Sequence, residues 1–304
     1  MAADRKYKMV IYITLIVFLS AFVKPESTVS LAQLKKNIEQ RFQQLDGDFA
    51  LAFVNLSDTS QKIMINSKEV FHAASTMKTP VMIEIYNQAE KGKFKLSDSI
   101  LVKNEFKSIV DGSIYSMDIG EDSGDALYKK IGQKITIYDL MYDMITVSSN
   151  LATNILIELV DAKKVNSKMR KLGAKDIKVL RGVEDIKAYD LGLNNTTTAR
   201  DLSIIIQAIA TGKAGNKKDC KAMINILKDQ KFNDMIPKYL PKNVKIAHKT
   251  GSITGVHHDS GIVYLPDGRS YVLVILSKNL KDFDKATDEM AKISKEIYDF
   301  LIQI

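Results

Sequence analysis

Strand-like segments near both ends of the chain enclose a long helical middle, and this order constrains the fold more than any other feature. Apolar and β-branched runs bounded by turn residues predict strands at 49–56, 62–66, 245–250, 261–265 and 271–277. Apolar residues at helical spacing predict helices at 30–45, 75–91, 137–145, 148–161, 163–172, 199–211 and 290–301. We therefore predict an α+β fold: an antiparallel sheet built from both chain ends, flanked by the terminal helices, with a mostly helical second lobe.

The chain of 304 residues is long enough to bury a substantial core within one catalytic domain, which we place at 25–304. The sheet lobe is expected to comprise about 30–68 and 213–304, and the helical lobe about 69–212. The junction of two such lobes is a natural place for a cleft.

The N-terminal segment has the pattern of an export signal. Basic residues within 1–8 precede an apolar run over 9–23, which predicts a signal peptide over 1–24 and a periplasmic or secreted protein. The run is short for a membrane-spanning helix, which needs roughly 20 residues. No clean cleavage pattern precedes Lys24, so an uncleaved membrane anchor is the alternative.

Charge and cysteine content exclude several classes of function. The net charge of +8 is spread along the chain without a basic block interleaved with aromatic residues, so a nucleic-acid partner is not expected. Cys220 is the only cysteine, so no intramolecular disulfide can form. It stands at the predicted start of a helix, where we expect no catalytic role. We expect a monomer without a stable protein partner.

Three short motifs carry the chemistry: Ser75-Thr76-Met77-Lys78, Ser148-Ser149-Asn150 and Lys249-Thr250-Gly251. A serine hydroxyl is a poor nucleophile and needs a base. Ser75 and Lys78 share one face of a predicted helix, where the two side chains can touch. A lysine that is buried or close to a second cation loses proton affinity, and Lys249 would be that cation if the lobes meet there.

The other motif residues suit the rest of an acyl transfer. Ser148 can pass a proton to a leaving nitrogen, and Asn150 can hold a substrate amide. Lys249 and Thr250 can bind a substrate carboxylate at a strand edge. Gly251 would let the substrate backbone lie close to the strand. The backbone N–H groups of Ser252 and Ser75 could bind an oxyanion.

Each motif alone is weak evidence. A serine and a lysine at this spacing occur by chance on many helices, a serine before a helix is often a simple cap, and Lys-Thr-Gly is often a turn or a strand end. The three in this order, each on the expected element, are much stronger evidence for a site. This trio is the one found in class A β-lactamases and penicillin-binding proteins.

Longer segments around the motifs resemble the class A β-lactamases: 72–82, 148–154, 196–198 and 248–252. The resemblance covers about 30–304. It implies a two-lobed α+β fold, acylation of Ser75 by a β-lactam, and hydrolysis of the acyl-enzyme without metal or cofactor. The implied ligand is a small-molecule β-lactam.

The resemblance also implies a glutamate that activates the deacylating water, and Glu184 is the candidate. The family usually has one residue between a preceding arginine and this glutamate, whereas two residues follow Arg181 here. The asparagine usually found four residues later is replaced by Ala188. The candidates to compensate are Asn194 and Asn195. Asp185 is the alternative base. In the remaining interpretation, Glu184 and Asp185 are both ordinary surface acids on a loop.

Three further departures from the family concern the cleft. Ser149 stands where the family often has aspartate. The long segment 103–130 contains Tyr115, which could stack on a substrate or belong to a packed surface loop. The arginine that often holds the substrate carboxylate is missing. In its region stand His257 and His258, while Arg269 is expected at a hairpin tip, and zinc binding by the two histidines is not expected.

The sequence leaves three functions open. The first is a serine β-lactamase. The second is a D-alanyl peptidase or esterase that uses the same Ser-Lys apparatus. The third is a membrane-anchored sensor that is acylated by β-lactams and does not turn them over. A well-placed deacylation base favours the first.

Overall fold

A five-stranded antiparallel sheet forms the centre of the protein, for which a computed structural model describes residues 29–303. The strands are β1 (Asp48–Asn55), β2 (Lys62–Ile65), β9 (Lys245–Ile253), β10 (Val256–Tyr264) and β11 (Ser270–Lys278). Their order is β2-β1-β11-β10-β9, so strands from both ends of the chain pair at the centre, with Leu51 opposite Ile275. The predicted α+β class and the origin of the sheet are confirmed.

The two faces of the sheet bury different halves of the core. Because side chains alternate along a strand, Leu51 and Phe53 point to one face of β1, and Ala50 and Ala52 to the other. The first face packs against α1 (Leu31–Gln43) and α9 (Phe283–Ile302). The second face packs against the helices of the middle of the chain.

The helices of the middle of the chain are α2 (Lys78–Glu90), α3 (Ile137–Thr146), α4 (Asn150–Val160), α5 (Ala162–Leu172), α6 (Ile186–Asp190), α7 (Ala199–Ala210) and α8 (Lys217–Lys228). Five of the middle helices, α2 to α5 and α7, match predicted helices, α8 contains the predicted helix start near Cys220, and α6 was not predicted. Short 3₁₀ segments lie at Ala74–Met77, Ile119–Glu121 and Asp125–Lys130. Cys220 is buried in α8.

Small two-stranded sheets brace the outer segments. The pairs are β3 (Phe71–His72) with β8 (Thr196–Thr197), β4 (Ser99–Leu101) with β7 (Lys134–Thr136), and β5 (Phe106–Lys107) with β6 (Ile114–Tyr115). The first pair leads directly into the first motif. Immediately after it, Ala73 N donates to Asn195 O at 2.8 Å, which ties the motif to the loop that precedes β8.

Strand β10 begins five residues earlier than the sequence predicts. The run from His257 to Ser260 is polar and lacks the strand pattern, yet all four residues are buried. Each has a partner, which removes the penalty for burying a polar group: His257 Nδ1 lies 2.8 Å from Thr287 Oγ1, for example.

Between residues 29 and 303, no helix combines the length and apolarity that a bilayer crossing needs. The predicted signal peptide or anchor over 1–24 lies outside the described residues.

Candidate active site

Ser75 lies in a 3₁₀ turn, and the α-helix that follows begins at Lys78. The sequence predicts a helix over 75–91, with some local distortion of its start near Pro80. The turn is fixed by a strained residue, since Ala74 has a left-handed φ of 44°, and its N–H donates to His72 Nδ1 at 3.0 Å. The three-residue period of a 3₁₀ turn keeps Ser75 and Lys78 on one side.

Gly251 brings the third motif against the nucleophile turn. A Cβ at this position would lie 2.9 Å from Ser75 N and 3.0 Å from Thr76 N. Any side chain would therefore push β9 away from the turn. The glycine that sequence reasoning associated with a close substrate backbone is in close contact with the backbone of Ser75.

Lys78 is fully buried and faces the second motif. Its Nζ donates to Ser148 O at 2.7 Å, to Ser148 Oγ at 3.1 Å and to Asn150 Oδ1 at 2.8 Å. Burial lowers the pKa of Lys78 to about 7, against the opposing effect of the carboxylates of Asp122 and Glu184. Among the described residues, no hydrogen bond joins Lys78 Nζ to Ser75 Oγ.

Lys249 approaches the same serine from the sheet. Its Nζ donates to Ser148 Oγ at 3.0 Å and to Thr250 O at 2.9 Å. Burial, and then the charge of Lys78, hold the pKa of Lys249 well below its usual range. The two lysines therefore meet at one hydroxyl, as the sequence predicted if the lobes met there.

Glu184 reaches the same cluster through the second motif. Its Oε1 accepts from Asn150 Nδ2 at 2.9 Å, and Asn150 Oδ1 accepts from Lys78. Burial raises the pKa of the Glu184 carboxyl, and the hydrogen bond from Asn150 opposes this effect. The residue has a left-handed φ of 60°.

Asp185, the alternative base, points elsewhere. Its carboxylate accepts from Ser108 Oγ at 2.9 Å and Ile109 N at 2.9 Å, and it caps α6 through Ala188 N at 3.2 Å. It therefore joins the loop after Arg181 to the segment 103–130.

The loop that carries Glu184 is fastened at both ends. Asn154 Oδ1 accepts from Val183 N at 2.6 Å, and Asn154 Nδ2 donates to Val183 O at 3.0 Å. At the base, Asn195 Oδ1 accepts from Leu180 N at 2.8 Å, and Asn195 Nδ2 donates to Arg181 O at 3.0 Å. The other compensating candidate, Asn194, accepts from the Arg181 guanidinium at 3.0 Å.

A cleft of about 300 Å³ opens in front of these groups. The predicted site residues that line it are Ser75, Ser148, Asn150, Thr250, Gly251 and Ser252. Lys78, Lys249 and Glu184 lie behind this wall. His257, which the sequence analysis named, also lines the cleft. Five further lining residues were not predicted: Glu121, Ser123, Phe232, Asp234 and Phe283.

A protein-family model, described as the beta-lactamase enzyme family, matches residues 33–301. The chain belongs to the beta-lactamase enzyme family. It is a hydrolase, and the predicted membership of the class A β-lactamases is confirmed.

Individual family members are distant in sequence. Beta-lactamase PSE-4 of Pseudomonas aeruginosa is 25% identical over 282 residues, which cover 85% of this chain and 91% of that protein. A β-lactamase from Sphaerobacter thermophilus superposes with a TM-score of 0.74 at 25% identity, over 91% of this chain and 99% of that one. A protein named PBP-A superposes with a TM-score of 0.77 at 24% identity, over 90% and 97%.

The second motif has Ser149 where the family often has aspartate, and a carboxylate from another segment reaches the start of α4. Ser149 caps α4 by accepting from Ala152 N at 3.2 Å. Asp122, which sequence reasoning missed, accepts from Asn150 N at 2.9 Å and from Leu151 N at 2.8 Å. The signal was indirect: an S-x-N motif without its aspartate implies that an acid elsewhere completes the helix end.

The remaining sequence candidates lie away from the chemistry. Tyr115 packs on Phe106 and donates to Val183 O at 3.2 Å, as part of the packed loop. Both ring nitrogens of His258 are engaged, with His72 O at 2.8 Å and Ser277 N at 3.2 Å, and burial lowers its pKa to about 4. Arg269 pairs with Asp267 in the turn between β10 and β11. Within residues 29–303 no cluster of His, Cys, Asp and Glu could hold a metal.

Proposed function

We propose that this β-lactam hydrolase works through an acyl-enzyme on Ser75 that is cleared with the help of Glu184. The observation that carries the proposal is the continuous cluster behind the cleft. Ser148 Oγ contacts the amines of both buried lysines, and Asn150 links Lys78 to Glu184. The cluster holds the proposed proton-transfer groups of both steps, and Ser75 lies beside it, three residues before Lys78 on the same turn.

In acylation, neutral Lys78 takes the hydroxyl proton of Ser75 as its Oγ attacks the lactam carbonyl. A pKa of about 7 leaves a large neutral fraction at neutral pH. When the carbon–nitrogen bond breaks, the nitrogen takes a proton from Ser148, which recovers one from Lys78. Catalytic hydrogen bonds are often loose in a free enzyme, so the Ser75–Lys78 contact is expected to form with substrate.

The strand β9 supplies substrate binding. The backbone N–H groups of Ser75 and Ser252 stabilise the oxyanion of the tetrahedral intermediate. Lys249 and Thr250 bind the carboxylate of the substrate, with Lys249 acting from behind the cleft wall. Asn150 binds the amide of the substrate side chain while its own amide oxygen stays on Lys78.

In deacylation, Glu184 takes a proton from a water molecule whose oxygen attacks the acyl carbonyl. Burial makes this carboxylate more basic than an exposed one, which favours the proton transfer. Asp185 is already used by Ser108 and the start of α6, so Glu184 is the better candidate. The ester bond breaks and the proton returns to Ser75.

A chromogenic cephalosporin tests this function against its alternatives. We expect steady turnover by the purified protein, no lasting mass adduct, and no turnover by a Ser75→Ala variant. A stable adduct on Ser75 would favour the D-alanyl peptidase, esterase or sensor alternatives. No reaction at all would contradict the β-lactam assignment.

A further inference from the structure

Asp122 is a buried carboxylate at the start of the second motif's helix. Its side chain is 6% exposed, and it accepts from the N–H groups of Asn150 and Leu151 at 2.9 and 2.8 Å. It also accepts from Gly124 N at 2.8 Å, and from Ser149 Oγ at 3.4 Å. A carboxylate at a helix N-terminus satisfies unpaired donors and interacts favourably with the helix dipole.

Ser149 packs tightly against the segment that carries Asp122. A Cβ on Gly124 would lie 2.4 Å from Ser149 Cβ, so the two segments are already in close contact. Ser149 is fully buried there. Ser149 Oγ lies 3.4 Å from the Asp122 carboxylate, so the acid that reaches this helix end comes from the segment 103–130.

The position of Asp122 couples it to the catalytic groups. It fixes the backbone of Asn150, whose side chain contacts Lys78 and Glu184. Its charge favours the protonated form of Lys78, as does that of Glu184. Lys249 faces Lys78 across Ser148 Oγ. The other titratable groups that face this cluster are Glu121, which acts on Glu184, and Tyr128, which faces Asp122.

We propose that Asp122 is a positioning residue that supplies, from a separate segment, the carboxylate missing from Ser148-Ser149-Asn150, and that it thereby holds Ser148 and Asn150 against Lys78. The proposal rests on the proposed function for its kinetic consequences. Its structural consequence, the protection of the first amides of α4, is independent of any reaction.

The isosteric variant Asp122→Asn tests the proposal. We expect the acylation rate to fall at least about tenfold, as for the loss of one charge-assisted hydrogen bond. Below neutral pH, the acidic limb of the acylation rate should move to lower pH, because Lys78 loses a carboxylate that favours its protonated form. A purely structural role would lower the rate and leave the limb in place. The control Asp125→Asn removes an exposed acid three residues away and should change neither.

An exchange variant and an activity-free readout complete the test. Asp122→Ser combined with Ser149→Asp restores the carboxylate from the other side and should recover most of the acylation rate. In Asp122→Asn, the amides of Asn150 and Leu151 should lose hydrogen-exchange protection, even if no β-lactam reacts with the protein. The proposal would be overturned if Asp122→Asn kept the wild-type acylation rate, the wild-type position of the acidic limb and the wild-type amide protection. If Asp122→Asn does not fold, the double variant Asp122→Ser with Ser149→Asp decides. A folded double variant that recovers neither acylation nor amide protection would overturn the proposal.

Discussion

At the scale of single residues, two buried lysines donate to one serine hydroxyl, and the proposed proton transfers depend on this arrangement. Lys78 and Lys249 lie 3.1 and 3.0 Å from Ser148 Oγ. Like charges this close disfavour double protonation, and burial disfavours either charge. Burial lowers the pKa of each lysine, and the charge of Lys78 lowers the pKa of Lys249 further. A pKa of about 7 suits Lys78 to its proposed role as the base.

The acylation rate should consequently depend on pH through Lys78. Its pKa of about 7 means that the neutral amine is lost as the pH falls through 7. Below about pH 6 the rate should fall close to tenfold per pH unit, and it should reach a plateau above about pH 8. Stopped-flow measurement of the first turnover checks this.

Lys78→Arg is the matched comparison for this pH profile, since arginine keeps the positive charge and does not deprotonate. It should lose acylation by about 100-fold or more at every pH. A wild-type acylation rate that is flat between pH 5 and 8 would contradict the role of Lys78.

The sequence predicted most of the residues that gather at the cleft, because their spacing encodes their geometry. The serine and lysine of the first motif lie three positions apart on one turn, and Lys249 lies on a strand that the hydrophobic pattern predicts. Asp122 could not be found this way. It lies 26 or more residues before the second motif, in a segment without periodicity, and only the tertiary fold brings it to α4.

At the scale of elements, the loop after Arg181 accommodates one residue more than the family usually has. In this loop Glu184 has a left-handed φ of 60°, and the Asn154 amide binds both the N–H and the C=O of Val183. Gly182 makes this pairing possible, because a Cβ there would lie 2.2 Å from Asn154 Oδ1. The altered spacing is thus compatible with a carboxylate held on Asn150.

Gly182→Ala should therefore impair deacylation more than acylation. The new methyl group displaces Asn154 or the loop, at an expected cost of about 1–3 kcal/mol in the free energy of unfolding. We expect the deacylation rate to fall by about tenfold or more. Time-resolved intact mass separates the two steps.

Gly215→Ala is the matched control for the loop variant, because its added Cβ would meet nothing closer than Asp219 Cβ at 3.9 Å. It should keep both rates. An unchanged deacylation rate in Gly182→Ala would mean that the loop does not position the base.

Element boundaries could be predicted where the buried residues are apolar. The prediction was wrong where polar residues are buried. The start of β10 lacks an apolar pattern because it consists of buried histidines and Asp259. The Asp259 carboxylate lies 2.9 Å from His248 Nδ1. The 3₁₀ turn at Ser75 depends on contacts with His72 and β9, which a local pattern does not contain.

At the scale of the whole molecule, the pairing of β1 with β11 joins the two ends of the chain in one sheet, and β9 at its edge brings Lys249 to the 3₁₀ turn of Ser75 and to Ser148, just before α4. The order of patterns along the sequence was sufficient to predict this arrangement. The contact between the lobes was not predictable in detail, because it depends on Gly251 and on which side chains become buried.

The basic and apolar pattern at the N-terminus predicts that the whole protein is exported. We expect the protein recovered from its host to lack about residues 1–24 and to be found outside the cytoplasm. The mass of its N-terminal peptide checks this. An intact N-terminus in the membrane fraction would support the anchor alternative instead.

The central claim is that an acyl group forms on Ser75 and leaves with the help of Glu184. Time-resolved intact mass of Glu184→Gln with a β-lactam tests it most directly, with Glu121→Gln as a control that removes a different acid from the same cleft. We predict a long-lived adduct on Ser75 in Glu184→Gln, and rapid turnover without an adduct in the wild type and in Glu121→Gln. Turnover at the wild-type rate by Glu184→Gln, or an adduct on any residue other than Ser75, would contradict the mechanism.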